Sequence, residues 1–323
     1  MEKAFITGIN GQDGSYLAEH LLASGYEVGG LVRRSSVAEN QTYRINHIEK
    51  DIKTYYGDLV DPTSIEKALK DFKPDKVFNL AAQSHVRLSF NMPAFTASVN
   101  AMGALNVFEA VKSTCSNAKV YQASSSEMFG TSVDSDNYQR ESTPMHPVSP
   151  YGCSKLYAYS IARNYRKAYK MFISNGILFN HESPRRGTNF VTAKVIEGAL
   201  RIKKGLTHHL ELGNLDSYRD WGHSSDYTKA MMKLLDLPEP DDIVISTGVT
   251  NSVRDLCKIV FEKLDLNYED YVVIKKRFLR PQELPFLCGD SSKAKKILDW
   301  KPTYDFNKLL SEMIEHFDKT LKN

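Results

Sequence analysis

Tyr151 and Lys155 are the first residues in this sequence whose types and spacing suggest chemistry. Residues four apart share one face of a helix. An ammonium beside a phenol favours the phenolate and lowers the pKa of the phenol toward working pH. Such a pair could take a proton from a hydroxyl group while hydride leaves the same carbon, which is general-base catalysis. The pattern is also common by chance, and its alternative is a surface tyrosine beside an exposed lysine.

Hydroxyl and carboxyl side chains form a second candidate segment, at Ser124, Ser125, Ser126 and Glu127. They follow the apolar run 119–123, which predicts a strand. Parallel sheets place their active sites at the carboxyl ends of their strands. This segment therefore favours the catalytic interpretation of Tyr151 over the alternative.

Three evenly spaced glycines, Gly8, Gly11 and Gly14, stand between an apolar run and an amphipathic stretch. Glycine lets the backbone approach a pyrophosphate closely, and a helix N-terminus offers unpaired N–H groups and a positive dipole end. The strand–turn–helix context favours a dinucleotide site over a simple tight turn. The predicted contacts in this turn are Gly8, Asn10, Gly11, Gln12, Asp13 and Gly14.

The end of the second predicted strand indicates which dinucleotide binds. An acidic residue about 20 positions beyond the turn would bind the adenosine ribose of NAD. Arg33 and Arg34 occupy that place, followed by Ser35 and Ser36, and the next acid is Glu39. Two guanidinium groups suit a 2′-phosphate. NADP is therefore predicted, with a solvated basic loop as the alternative.

Two further strand ends are expected to contact the same dinucleotide. Asp58 and Leu59 follow the third strand, where an aspartate can bind the adenine amino group or simply form a turn. Small residues close the fourth strand and would let the chain pass near ribose and phosphate. The predicted contacts there are Leu80, Ala82 and Ser84.

Short apolar runs alternate with amphipathic stretches over the first half of the chain, as in a parallel sheet covered by helices. The predicted strands are 3–7, 27–32, 52–56, 76–80, 119–123 and 172–178, and the predicted helices are 15–24, 64–71, 93–112 and 151–170. After Asn180 the loops lengthen, and polar or basic clusters appear at 181–186, 219–223 and 277–283. We therefore predict an α/β chain with a smaller, mixed C-terminal portion that supplies substrate contacts.

Composition argues against several classes of protein. Of the 323 residues, 41% are hydrophobic and 25% are charged, as in a globular protein, and the net charge is only +3. The basic residues are spread along the chain, which does not indicate a nucleic-acid partner. We recognise no secretory signal and no apolar run of bilayer length. Four separated cysteines lack metal-binding spacing, so we expect no metal site and a cytoplasmic location.

Longer motifs carry a resemblance to one family. They are YQASSSE at 121–127, NGILFNHESPRRG at 175–187, LGNLD at 212–216, RDWGH at 219–223 and RPQE at 280–283. With the glycine turn, they resemble the extended short-chain dehydrogenases and, more narrowly, the GDP-mannose 4,6-dehydratase family, from Lys3 to about Pro302. The resemblance implies a Rossmann-type doubly wound parallel sheet. It also implies an NADP-binding domain over 1–180, to which some later segments return, and a GDP-sugar-binding lobe over 181–323.

The same resemblance implies a reaction, the removal of water from a GDP-hexose. Tyr151 is then the base at O4 while hydride leaves C4 for NADP. Glu127 removes the C5 proton and is a plausible donor to the water that leaves C6, after which the hydride returns to C6. Ser125 stands near the 4-oxygen, where the family usually has threonine.

The resemblance also implies binding roles, residue by residue. Tyr151, Lys155, His181 and Arg186 match cofactor-binding positions. The positions matched to substrate binding are Ser84, Ser126, Asn180, Asn189, Val191, Lys194, Gly213, Arg219, Arg280 and Glu283. Two alternatives stay open: His181 could serve only backbone groups, and Arg219 with Asp220 could be an ordinary ion pair.

Two positions discriminate within the superfamily. Ser126 stands where dehydratases of UDP- or dTDP-glucose generally carry aspartate, which favours the GDP-mannose type. Sugar epimerases generally lack a glutamate equivalent to Glu127, which favours elimination. A GDP-sugar epimerase or 4-reductase, and a non-catalytic NADP-sensing protein, are the alternatives.

Departures from the family pattern bear on the sugar, and the likeness itself bears on assembly. Ser125, Ser160 and Ala193 are smaller than the usual residues, and Phe95 replaces a common tyrosine. If they make room at C2, GDP-N-acetylglucosamine joins GDP-mannose as a candidate substrate. Family members form dimers or tetramers. The apolar helix 93–112 and the segment 34–43 are the predicted subunit contacts, with a well-buried helix as the alternative for the former.

Overall fold

Strands and helices alternate through residues 1–34 and 42–321, the part of the chain that this computed structural model describes. The strands are β1 (Lys3–Thr7), β2 (Glu27–Val32), β3 (Ile52–Tyr56), β4 (Lys76–Asn79), β5 (Lys119–Ser125), β6 (Ile173–Leu178), β7 (Asn180–Glu182), β8 (Leu210–Leu212), β9 (Tyr218–His223), β10 (Asp242–Ile245), β11 (Thr250–Ser252) and β12 (Val272–Ile274). The α-helices are α1 (Gln12–Ala23), α2 (Pro62–Phe72), α3 (Val86–Asn91), α4 (Pro93–Ala97), α5 (Gly103–Thr114), α6 (Pro150–Ala168), α7 (Val191–Lys203), α8 (Ser224–Asp236), α9 (Val253–Glu262), α10 (Ser292–Leu298) and α11 (Phe306–Thr320).

Seven parallel strands form the central sheet, in the order β3-β2-β1-β4-β5-β6-β10. The strand order reverses between β1 and β4, which opens a crevice at the carboxyl ends of these strands. A parallel sheet of this order, with helices on both faces, is a Rossmann-type doubly wound fold. The predicted fold class is confirmed.

Helices cover both faces of the sheet, which explains why its strands are apolar along their length rather than alternating. Successive residues of one strand point to opposite faces. Ile6 and Tyr121 pack on the face covered by α1 and α8. Phe5 and Val120, their neighbours in the chain, pack on the face covered by α2, α5 and α6.

The chain after residue 180 builds smaller sheets and also returns to the large one. β7, β9 and β11 form a three-stranded sheet, and β8 pairs with β12. α7, α9 and α11 bury their apolar faces against these strands around Trp221 and Phe261. β10 lies at the edge of the central sheet, and α8 packs against α1. The division into domains at 1–180 and 181–323 stays a prediction.

One predicted helix, 93–112, contains a π-helical turn. The segment 93–112 divides into α4, a π-helical turn at Ser98–Met102 and α5. The wide turn brings Asn100 to the loop after β4, where its amide donates to the Gln83 carbonyl oxygen at 3.0 Å and to the Ser154 hydroxyl at 3.2 Å. The helix predicted over 93–112 is confirmed, since the chain is helical from Pro93 to Thr114, but apolar periodicity did not predict its π-helical turn.

The carboxylate of Asp220 ties β9 to two loops beside the central sheet. Its Oδ1 accepts hydrogen bonds from the Thr247 N–H at 2.9 Å and the Thr247 hydroxyl at 2.6 Å. Its Oδ2 accepts from the N–H groups of Gly248 at 2.9 Å and Gly289 at 3.3 Å. The side chain is fully buried, so these donors would lack an acceptor without it.

We expect Asp220→Asn to lower the free energy of unfolding by about 2–4 kcal/mol. The amide nitrogen would replace an oxygen that now accepts hydrogen bonds, and the donors facing it would lose their acceptor. Urea unfolding of the two proteins measures the loss. Asp216→Asn is the matched control: its side chain is 69% exposed, and its expected change is below about 0.5 kcal/mol. Equal unfolding midpoints for the two variants would contradict the role assigned to Asp220.

Candidate active site

Two adjoining cavities open at the carboxyl end of the central sheet. The sheet-end cavity, of about 310 Å³, is bounded by the ends of β5 and β6 and the starts of α3, α6 and α7. The glycine-turn cavity, of about 400 Å³, is bounded by the turn after β1 and the ends of β2, β3 and β4. The residues common to both walls are Asp13, Leu80, Ala82, Ser84 and Arg186. The two candidate sites are therefore continuous.

The glycine turn passes too close to itself for side chains. A Cβ atom on Gly14 would lie 2.2 Å from the Gly8 carbonyl oxygen and 2.7 Å from the Ile9 Cα, and Gly8 has a φ of +72°. The cavity is therefore faced by backbone and by the N-terminus of α1, a surface that fits the diphosphate of a dinucleotide. The predicted cofactor residues on this wall are Gly8, Asn10, Gly11, Gln12, Asp13, Gly14, Arg33, Asp58, Leu59, Leu80, Ala82 and Ser84.

The two arginines predicted to bind a 2′-phosphate have different positions. Arg33 lines the glycine-turn cavity. Arg34 is exposed, and its guanidinium carbon lies 5.3 Å from the ring centroid of Tyr56, away from that wall. Ser35, Ser36 and Glu39, and most of the predicted contact segment 34–43, lie outside the described residues.

Tyr151 and Lys155 are buried on the side of α6 that faces the sheet-end cavity. The Lys155 ammonium donates to the Ala123 carbonyl oxygen at 2.9 Å and lies 5.9 Å from the Tyr151 ring centroid. Burial raises the pKa of Tyr151 to about 12, against the hydrogen bond from Ser125, and burial lowers the pKa of Lys155 to about 8. The expectation that Lys155 and a positive nicotinamide ring together bring the tyrosine pKa toward working pH stays a prediction, since burial dominates among the protein's own groups.

Ser125 and Glu127 lie where β5 ends and a 3₁₀ turn, Ser126–Met128, begins. The Ser125 hydroxyl accepts a hydrogen bond from the Glu127 N–H at 3.2 Å. The Glu127 Oε1 atom lies 3.3 Å from the Arg280 Nη1 atom. Its Oε2 atom is buried and has no hydrogen-bond partner in the described part of the chain. Glu127 therefore presents a carboxylate with one oxygen paired, in the same cavity as Tyr151.

Arg219 and Glu283, both predicted to bind substrate, lie behind Arg280 and are not on the cavity wall. The Glu283 Oε1 atom is 3.5 Å from the Arg280 Nη1 atom and 3.2 Å from the Arg219 Nη2 atom. The Arg219 Nη1 atom also donates to the Leu284 carbonyl oxygen at 2.9 Å. Arg219 does not pair with Asp220, so the ion-pair alternative is wrong. These contacts fix the position of Arg280.

The segment after β6 folds over the start of α1. The His181 ring contacts the Asp13 Oδ2 atom through Nε2 and the Phe179 carbonyl oxygen through Nδ1, both at 2.7 Å. Burial opposes charge on both side chains, but their attraction lowers the pKa of Asp13 and raises that of His181. The Arg186 Nε atom lies 2.9 Å from the Glu182 Oε2 atom. His181 therefore contacts a charged partner, Asp13, as well as a backbone oxygen, and Arg186 contacts the charged Glu182. Both residues line the sheet-end cavity.

Comparison with known proteins gives the family. The family model described as GDP-mannose 4,6 dehydratase matches residues 5–313. GDP-mannose 4,6 dehydratase 2 of Arabidopsis thaliana is 50% identical over 97% of this chain and 86% of its own length. The human GDP-mannose 4,6 dehydratase is 46% identical over 98% of this chain and 91% of its own length.

The chain belongs to the GDP-mannose 4,6-dehydratase family. The resemblance carried by the sequence motifs is thereby confirmed.

Solved structures of lower identity share the fold. A UDP-glucose 4-epimerase from Thermotoga maritima has a TM-score of 0.87 at 24% identity and covers 99% of this chain and 100% of its own. The protein RMD from Pseudomonas aeruginosa, solved with NADPH, has a TM-score of 0.81 at 23% identity, with coverage of 99% and 100%.

Most residues predicted from the likeness to the GDP-mannose 4,6-dehydratase family line the sheet-end cavity. The predicted catalytic and substrate residues on the sheet-end wall are Ser84, Ser125, Ser126, Glu127, Tyr151, Lys155, Asn180, Asn189, Val191, Lys194, Gly213 and Arg280. Sequence reasoning missed His85 and Arg87 beyond β4, and Phe190 and Phe278. His85 and Arg87 come shortly after Ser84, which was itself predicted, so their sequence position could have indicated that they line the cavity. Phe190 directly precedes α7 and Phe278 ends a short 3₁₀ helix, and neither position has such a signal.

The departures from the GDP-mannose 4,6-dehydratase pattern mostly lie away from the cavity. Ser125 lines it. Ala193 is buried in the cluster under α7, whereas Ser160 and Phe95 are exposed on helix surfaces. The idea that all four residues make room at the sugar C2 is therefore wrong, because three of them do not face the sugar site.

Two kinds of feature are absent from residues 1–34 and 42–321. Within these ranges, no group of three His, Cys, Asp or Glu side chains is arranged to hold a metal ion. None of the helices there combines the length and apolar character that crossing a membrane requires.

We expect Lys155→Met to be more stable than the wild type at pH 7 by up to about 3 kcal/mol. Burial lowers the folded-state pKa of Lys155 from 10.5 to about 8, so between these values the folded chain binds fewer protons than the unfolded chain. Wild-type stability therefore rises with pH over that window, and the advantage of the variant shrinks. Urea unfolding at pH 7 and pH 10 measures the difference. The exposed Lys167→Met is the control, and an advantage that does not change with pH would contradict the assignment.

Proposed function

We propose that the chain removes water from a GDP-hexose, converting GDP-mannose to the GDP-4-keto-6-deoxy sugar with NADP recycled in each turnover. The observation that carries the proposal is Glu127 in the same cavity as Tyr151 and Lys155, in a member of the GDP-mannose 4,6-dehydratase family. The tyrosine and lysine suit oxidation of a sugar hydroxyl. A carboxylate beside them suits elimination of water from the oxidised sugar.

The glycine turn and its neighbours would hold NADP. The N-terminus of α1 would face the diphosphate, and Arg33 the 2′-phosphate. Asp58 would accept from the adenine amino group, and His181 and Arg186 would line the path toward Tyr151. A bound NADP would supply the acceptor for the C4 hydride and the donor for its return to C6, and the positive charge of its oxidised ring would favour the Tyr151 phenolate.

Proton transfer at O4 is assigned to Tyr151. Its phenolate would take the proton of the C4 hydroxyl as the carbonyl forms, which leaves Tyr151 as the neutral phenol. The Ser125 hydroxyl, whose interaction with Tyr151 lowers the pKa of that phenol, would donate to the 4-oxygen. Lys155, held on the Ala123 carbonyl oxygen at 2.9 Å, would stabilise the negative charge on the phenolate.

Proton transfers at C5 and C6 are assigned to Glu127. The 4-keto group makes the C5 proton acidic, and the carboxylate would remove it. The same carboxyl group would then protonate the hydroxyl that leaves C6, because Ser126 supplies no second acid. The Oε2 atom accepts no hydrogen bond from the described residues, which supports its use as the base.

Two alternatives are disfavoured by the same glutamate. An epimerase or 4-reductase needs oxidation and reduction at C4 but no base at C5. A non-catalytic NADP sensor needs none of the four catalytic side chains in one cavity. Among substrates, GDP-mannose is favoured over GDP-N-acetylglucosamine, since of the four departures from the family pattern only Ser125 lines the cavity.

We also propose assembly into a dimer or tetramer in the cytoplasm. Apolar side chains are exposed on the adjoining helices α3 to α6, including Leu88, Phe95, Met102 and Tyr157, and such a surface suits a subunit interface. Sedimentation equilibrium is expected to give a dimer or tetramer, and Phe95→Glu to shift it toward the monomer. A monomeric wild type would contradict the assembly.

The test of the reaction is mass spectrometry of parallel incubations with GDP-mannose, GDP-N-acetylglucosamine, UDP-glucose and dTDP-glucose. We expect GDP-mannose alone to lose one water, without consumption of added NADP. Loss of water from GDP-N-acetylglucosamine in preference would reassign the sugar. Absence of water loss from all four would reject the dehydratase.

Glu127→Gln separates elimination from the other steps. We expect turnover to fall about 10²–10⁴-fold, because the amide cannot act as the base at C5, while NADP affinity is unchanged. Rate measurements and NADP titration of both proteins check this. The exposed Glu66→Gln is the control and should retain wild-type turnover. Unchanged turnover in Glu127→Gln would refute the role of this residue.

A further inference from the structure

The charges on the sheet-end cavity are unevenly balanced. Each of its carboxylates has a basic partner of its own: the pairs are Asp13–His181 at 2.7 Å, Glu182–Arg186 at 2.9 Å and Glu127–Arg280 at 3.3 Å. Three cations on the wall, Arg87, Lys155 and Lys194, form no ion pair with a carboxylate of the described residues. Lys155 lies beside Tyr151, so the surplus charge elsewhere in the cavity comes from Arg87 and Lys194.

Arg87 is held across the cavity mouth by an uncharged group. It lies in the first turn of α3, and its Nη2 atom donates to the Arg277 carbonyl oxygen. Its Nε–H is buried and has no acceptor among the described residues. A guanidinium with a donor left unpaired in this way is costly in the absence of an anion.

Lys194 approaches the same short segment from α7. Its ammonium lies 3.6 Å from the ring centroid of Phe278, the residue after Arg277. Arg87 and Lys194 therefore contact neighbouring residues, one through a carbonyl oxygen and the other through an aromatic ring. The Glu211 carboxylate pairs with Arg277, and its charge also acts on Lys194. Arg87 and Lys194 together therefore keep a surplus of positive charge. An anion with several oxygens would offset both charges.

We infer that Arg87 is a further substrate-binding residue, which with Lys194 binds the diphosphate of the nucleotide sugar. The inference rests on the proposed function. A guanidinium offers a planar fork that matches two phosphate oxygens, and Lys194 supplies a point charge. The site thereby favours sugars carried on a nucleoside diphosphate over sugar monophosphates. The same Arg87 side chain holds residue 277 against α3 through its hydrogen bond to the Arg277 carbonyl oxygen.

The experiment is calorimetric titration of the full chain with GDP, at two salt concentrations, with NADP titrated in parallel. We expect Arg87→Gln to weaken GDP binding about ten- to a hundred-fold and to reduce the salt dependence of that affinity. NADP affinity is expected to stay at the wild-type value. Arg87→Lys retains the charge without the fork and should fall between the two. Arg201→Gln, which removes an exposed arginine of α7, is the matched control and should bind GDP like the wild type.

The possible outcomes separate a failure of the Arg87 inference from a failure of the proposed function. If the wild type binds no GDP, the proposed function fails. If the wild type binds GDP and Arg87→Gln binds it equally well, the inference alone is overturned. An Arg87→Gln protein that loses NADP affinity as well, or that weakens GDP binding with an unchanged salt dependence, would assign Arg87 a structural role and also overturn it.

Discussion

The contact between Gly14 and the backbone of Gly8 is the constraint on which both cavities depend. With no side chain at either position, α1 begins directly against the end of β1, and its first residues, Gln12 and Asp13, reach the segment after β6. That segment carries His181 and then Arg186, which lines both cavities. A larger residue at Gly14 would push α1 away, and the wall shared by the two cavities would separate.

Burial decides how charge is used in the site. Lys155 is removed from water and keeps one carbonyl contact, so its charged form is destabilised and its pKa falls. Burial also destabilises the Tyr151 phenolate, which raises the pKa of that phenol. In the protein alone, Tyr151 is therefore a neutral phenol near neutral pH, whereas Lys155, with a pKa of about 8, is still mostly protonated there. Glu127 differs, because Arg280 compensates its charge and is itself fixed by Glu283 and, through it, Arg219. In the proposed mechanism the site thus combines one base, Tyr151, that depends on added positive charge with another, Glu127, whose charge Arg280 balances.

Much of this arrangement could be predicted from the sequence because it depends on short-range rules. Apolar runs predicted the strands of the sheet from β1 to β6. The glycine spacing predicted the turn that faces the glycine-turn cavity. What failed depends on tertiary contacts. The π-helical turn around Asn100 follows from a polar contact with Gln83, and the location of Arg219 behind Arg280 follows from a buried network. β10 was not predicted, although its apolar residues stand between Pro240 and Gly248, because the chain after Asn180 was assigned to the C-terminal portion.

Strand β9 explains why one short motif can be so specific. Its side chains alternate, as in any strand. Arg219 reaches Glu283, and Trp221 stacks on Phe306 at 5.2 Å between ring centroids, so this side supports Arg280 and the C-terminal helices. On the other side, Asp220 binds the loops beside the central sheet, and a Cβ atom on Gly222 would lie 2.4 Å from the Tyr227 ring. Site and fold thus constrain alternate residues of the same strand, which leaves little freedom at any of them.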